Sequence, residues 1–144
     1  MGSRIAVLDV GKTSLKLSVC DVEGRVIETM AAPNVARPGP PWGHHDLKGL
    51  GEWVLTGLAE MSRRHEIGHF VPTGHGSGGV LVAADPDAEG GGAALPMIDY
   101  ERPMPEAVDA AYLPLSGSFY DRGSAVMMAS THSARQMLRM EMEA

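Results

Sequence analysis

The chain has 144 residues, 44% apolar and 21% charged, which allows one globular domain with a modest core and excludes the disordered class. Its net charge is −6 with no basic stripe, so nucleic acid is not expected as a partner, and no run approaches a membrane span. The single cysteine, Cys20, excludes an internal disulfide framework and fits a reducing, cytoplasmic setting; residues 1–4 lead straight into a strand-like run without the apolar stretch of a signal peptide.

Residues 5–9, 15–21 and 26–32 read as three short strands. Turns at residues 9–13 and at Glu23-Gly24 join them into an antiparallel meander, with Cys20 as a small buried residue. Residues 33–43 form a proline-rich loop. Trp42, His44 and His45 follow its centre, the two histidines expected in solvent. Asp46 suits a helix N-cap, and Leu47, Leu50, Val54, Leu58 and Met61 then recur at helical spacing, with Trp53 beside the stripe. Gly49, Gly51 and Gly57 weaken this helix, so packing must hold it; Gly68 would end it. Residues 69–73 and 79–83 read as two further strands and residues 95–100 as another short apolar run. Gly90-Gly91-Gly92 is a loop within a stretched segment, residues 85–94. Glu101, Glu106 and Asp109 form an acidic, solvated stretch. Residues 132–143 suit a helix with a narrow apolar face. Met127, Met128, Met137, Met140 and Met142 crowd this tail as core, interface or stranded surface. Strands, a helix and further strands imply an α/β fold with a mixed sheet.

Two motifs carry chemistry. The first is Asp9-Val10-Gly11-Lys12-Thr13-Ser14-Leu15-Lys16, set between two strand-like runs. A glycine turn there lets backbone N–H groups face a phosphate. Asp9 can hold magnesium through water, and Thr13, Lys12 and Lys16 can bond or balance phosphate oxygens. As a bland alternative, Asp9 closes a hairpin as an Asx-type turn residue. The second motif is His65-Glu66-Ile67-Gly68-His69, a literal HExxH, with His75 six residues beyond His69. On one helix face, His65 and His69 would ligate zinc with His75 as third ligand and Glu66 as general base. Pro72 stands where that pattern needs a glycine, and His69-Phe70-Val71 reads as the start of a strand. A solvated helix end is the plainer reading of the segment.

The order of these elements resembles the FGGY carbohydrate kinases of the actin-like, ribonuclease H-like ATPase superfamily. Residues 5–16 look like that family's first phosphate motif. Pro72-Thr73-Gly74-His75-Gly76 with residues 77–82 looks like its sugar-facing strand and turn, and residues 95–101 look like the next strand. Residues 38–46, with Trp42, resemble the loop of the branch near rhamnulokinase and fuculokinase, where Trp42 would border the sugar entrance. The resemblance implies a ribonuclease H-like domain whose mixed sheet opens on a three-strand meander flanked by helices. It implies phosphoryl transfer from ATP–magnesium to a sugar hydroxyl. Asp9, Gly11, Lys12, Thr13 and Lys16 would line the phosphate–magnesium site. His75, Gly76 and Ser77 would face the sugar, with Asp99 and Glu101 at its rim. Residues 1–101 would be a partial first lobe and residues 102–144 a poorly matching, disordered or partly helical tail. The family's general-base aspartate and second lobe have no counterpart in these residues, so a truncated, inactive chain with weak or absent ATP binding is expected, its second lobe supplied by a separate chain if at all. A zinc protease and a non-catalytic sugar-binding or interaction module stay open beside this reading.

Overall fold

The structure, a computed structural model, describes residues 3–85, 87 and 92–144. Gly90 and Gly91 of the expected glycine loop lie outside the described residues. The chain divides into two units, one of residues 3–35 and 46–76, the other of residues 36–45 and 77–144.

In the first unit β1 (Arg4–Val10), β2 (Ser14–Cys20), β3 (Val26–Pro33) and β4 (Ile67–Gly74) form one sheet in the order β3-β2-β1-β4. β1–β2 and β2–β3 are antiparallel, as the meander predicts, and β1–β4 is parallel. A parallel pair needs a crossover, which contains α1 (Leu47–Ser62). Period-2 alternation decides the faces. Ala6 and Leu8 on β1 and Leu17 and Val19 on β2 pack against Val54 and Met61 of α1, with Leu50, Trp53 and Leu58 around them. Burying a side chain such as Leu17 contributes about 2–3 kcal/mol. Pro33 and Pro72 fall on the two edge strands, where a missing N–H costs no central ladder bond.

Asp46 caps α1 as expected, its carboxylate accepting the Gly49 N–H at 2.9 Å. Gly57 is buried against Met30 and Leu17, and a Cβ there would meet the Met30 sulfur at 2.6 Å. A helix-weakening residue thus permits close helix–sheet approach. The helix ends at Ser62, six positions before Gly68, and β4 begins at Ile67 rather than His69. The apolar stripe ends at Met61, so nothing packs a further turn.

The second unit carries α2 (Glu106–Tyr112), a short 3₁₀ turn (Leu113–Leu115), α3 (Phe119–Arg122) and α4 (Ser133–Glu143). The strand expected at residues 79–83 is absent: Val82 makes one isolated bridge, to Ala93. Residues 95–100 are likewise no strand. Ile98 bridges once to His44, and the run is apolar because Met97, Ile98 and Tyr100 are buried. Trp42, Ile98 and Met140 form a small core with Leu95 beside it. The Trp42 indole N–H donates to the Pro96 carbonyl at 2.8 Å, so this ring is core rather than sugar entrance. His45 is buried, not solvated, its backbone N–H donating to the Met97 carbonyl at 3.0 Å.

Buried polar side chains do much of the cohesion in this unit. Gln136 on α4 is 1% exposed; its amide N–H groups donate to the carbonyls of Ser77 and Ser130, and its oxygen accepts the Gly79 N–H at 3.3 Å. Arg135 donates to the carbonyls of Met127 and Ala129 at 3.0 and 2.7 Å, and it pairs with Asp109. Asp109 is therefore not part of a merely solvated acidic face. Ser130 is fully buried, donating its hydroxyl to the Arg102 carbonyl at 2.9 Å. Of the five tail methionines only Met140 is core; Met127, Met128, Met137 and Met142 are exposed.

Candidate functional site

The turn between β1 and β2 brings together all five residues of the expected phosphate set. Asp9 lies directly opposite Lys16 of β2 in the antiparallel register and beside Thr73 of β4 in the parallel one. Directly paired residues share a face, so Asp9, Lys16 and Thr73 stand in a row on the face turned away from α1. Asp9, Thr13 and Lys16 are exposed; Gly11 and Lys12 are half-buried. The Gly11 N–H donates to the Ser14 carbonyl at 2.9 Å and closes the turn. A Cβ at Gly11 would sit 2.9 Å from that same carbonyl oxygen, so the tight closure requires glycine.

Two residues beside this turn are not assigned to it by the sequence, which sets Thr73 in the sugar-facing stretch instead. Thr73 is one; only the parallel register brings it beside Asp9. Asn34, just past β3, is the other. Its side-chain N–H donates to the Gly11 carbonyl at 2.8 Å and its backbone N–H to the Thr13 carbonyl at 3.0 Å. The first bond spans 23 positions, so no local pattern announces it.

The expected sugar-facing residues fall in different units. His75 and Gly76 follow β4 in the first, and both ring nitrogens of His75 are buried. Ser77, Asp99 and Glu101 belong to the second. Asp99 is buried, and its carboxylate accepts the Glu101 backbone N–H at 3.3 Å and the Arg102 guanidinium at 3.4 Å. Burial foremost, then the charges of Glu101 and Asp99, push the Tyr100 hydroxyl above its ordinary pKa. A cleft of about 950 Å³ in the second unit is lined by Leu81, Leu95, Tyr112, Met137 and Met140 among others, and by none of Ser77, Asp99 or Glu101.

The HExxH residues do not form a helical ligand pair. His65 follows the end of α1, its N–H bonded to the Met61 carbonyl, while His69 lies on β4 opposite Ile5. Glu66 is exposed between them. The His65 ring is 2.6 Å from Glu28, which also accepts from Arg64. The Arg64 guanidinium first, and His65 second, hold the Glu28 carboxyl down to about 2. Among the described residues no three His, Cys, Asp or Glu side chains converge as a metal site. No helix among them is long and apolar enough to cross a membrane.

No protein-family sequence pattern matches the chain, and no curated protein matches it. Among solved structures, it is similar to a carbohydrate kinase from Novosphingobium aromaticivorans, with a TM-score of 0.83 and 28% identity over 95% of this chain and 28% of that one. A ligand-bound xylulose kinase from Lactobacillus acidophilus gives 0.71 and 11% over 97% of this chain and 28% of that one. A gluconate kinase from Lactobacillus acidophilus gives 0.66 and 12% over 96% and 28%. The two low identities speak for fold alone. The chain spans about 28% of the length of each of these kinases. The mixed sheet with its helices is an α/β domain matching the carbohydrate kinase N-terminal domain, an actin-like ATPase fold.

Proposed function

We propose that these residues are the opening part of the first lobe of an FGGY-type sugar kinase in a cytoplasmic setting, and that the β1–β2 turn is its phosphate site. The observation that carries the reading is the glycine-closed turn at the end of β1, flanked by Asp9, Lys16 and Thr73, in a fold similar to a carbohydrate kinase. Phosphoryl transfer asks little covalent chemistry of a protein. It asks for positioning and for neutralisation of charge on the phosphate oxygens. A carboxylate beside a lysine and a hydroxyl on one exposed face suits that task, because oxygen donors match magnesium and the lysine matches phosphate.

In this reading Asp9 holds magnesium through water, and the ion neutralises phosphate charge when bound. Gly11, Lys12 and Thr13 present the turn to phosphate oxygens, and Lys16 balances charge beside Asp9. His75, Gly76 and Ser77 face the sugar, with Asp99 and Glu101 at its rim. The branch near rhamnulokinase and fuculokinase is the finer form of the proposal, supported by residues 38–46 alone. A coupled ATPase and kinase assay on the 144-residue chain, run against a sugar panel, tests it. We expect no sugar-dependent turnover and only weak ATP–magnesium binding by calorimetry, weakened further in Asp9→Asn. Sugar-dependent turnover would refute the inactivity, and unaltered binding in Asp9→Asn would refute the site.

A further inference from the structure

We infer that Asn34 is a positioning residue for this turn. It aims the Lys12 backbone N–H toward the phosphate side by holding the Gly11 carbonyl on the opposite side. The inference rests on the phosphate reading of the turn.

In a planar trans peptide the C=O of one residue and the N–H of the next point in opposite directions. The Gly11 carbonyl is drawn to the Asn34 side-chain N–H at 2.8 Å, so the Lys12 N–H is directed away from Asn34. The Thr13 carbonyl is drawn to the Asn34 backbone N–H at 3.0 Å, so the Ser14 N–H is directed away as well. One residue therefore fixes two of the turn's peptide planes. Only the first of these bonds belongs to the side chain; the second continues the β2–β3 pairing past Ser14 and Pro33. Gly11 can comply because its own N–H is already spent on the Ser14 carbonyl. The side-chain bond restrains the rotation of the Gly11–Lys12 peptide, and glycine by itself resists that rotation least. A donor aimed beforehand loses less freedom on binding an anion than one that must first turn.

The side chain is separable from the fold. Asn34 lies outside β3, and neither hydrophobic cluster includes it. Asn34→Ala deletes the donor and leaves the backbone bond. Asn34→Asp keeps the shape but sets a carboxylate oxygen against the Gly11 carbonyl, two acceptors face to face.

The test is a titration of the 144-residue chain with ATP–magnesium followed by backbone amide resonances. Asn34→Ala should weaken binding about fivefold, the effect of one neutral hydrogen bond. Asn34→Asp should weaken it more. In both variants the ligand-free amide shift should change at Lys12, while that of Ser14, set by the retained backbone bond, and the thermal midpoint stay near those of the parent. Parent-like affinity and parent-like Lys12 shifts in Asn34→Ala would overturn the inference. Absence of binding by the parent chain would refute the phosphate reading instead. The ligand-free Lys12 shift then decides by itself whether Asn34 sets the turn: a parent-like shift overturns that, and a changed one upholds it.

Discussion

The two units of this chain differ in how much buried polar side chains add to their apolar cores. In the first, an apolar sheet face meets an apolar helix stripe: Ala6, Leu8, Leu17 and Val19 against Val54 and Met61. In the second, Trp42, Ile98 and Met140 form a small cluster, Met97, Tyr100, Met104, Val108 and Tyr112 are also buried, and the loops are tied in addition to Gln136, Arg135 and Ser130. An apolar face tolerates small errors of register in its partners, whereas a buried amide demands each of its carbonyls in place. The first unit should therefore lose stability in proportion to volume removed, and the second through single lost hydrogen bonds as well.

The two tryptophans make this comparison measurable, since Trp53 lies in the first unit and Trp42 in the second. Fluorotryptophan labelling gives each unit its own signal in a urea titration. The largest effect is expected from Leu17→Ala, which should cost the Trp53 signal about 3–4 kcal/mol by transfer and cavity terms together. A loss of under about 1 kcal/mol would show that the sheet–helix contact is loosely packed. Gln136→Leu, nearly the same size, should cost the Trp42 signal about 2–3 kcal/mol by stranding the Ser77 and Ser130 carbonyls. If Gln136→Leu is neutral or stabilising, the second unit is held by apolar burial alone.

The smallest effect is a pH dependence of the first unit. Glu28 has its folded pKa lowered from 4.5 to about 2 by Arg64 first and His65 second. A depressed folded pKa means the unfolded chain binds more protons between those values, so stability rises with pH across that window. The contribution is complete above about pH 4.5 and is lost as pH falls toward 2. Glu28→Gln should flatten the Trp53 midpoint between pH 2 and 4.5, and an unchanged slope would remove Glu28 from the account.

Legibility in the sequence follows the same division. The three-strand meander, the Asp46 cap and α1 are readable because strand alternation and helical spacing are local signals. The β1–β2 turn proposed as the phosphate site is readable as a turn for the same reason, as its five residues lie within eight positions of sequence, 9–16. The second unit is poorly readable. Residues 79–83 and 95–100 look like strands because they are apolar, yet each makes one bridge, and burial without a partner ladder leaves the same composition. His45, Arg135 and Gln136 look like surface residues, and only their distant partners explain their burial. Asn34 and Thr73 fail for the same cause, since one reaches back 23 positions and the other depends on a parallel register.

The most direct test of the central claim is an amide-shift map of the 144-residue chain on addition of ATP–magnesium. The account predicts the largest shifts within residues 9–16, with smaller ones at Asn34 and Thr73, and a diminished response at all of them in Asp9→Asn. Shifts centred elsewhere, or an undiminished response in Asp9→Asn, would contradict it.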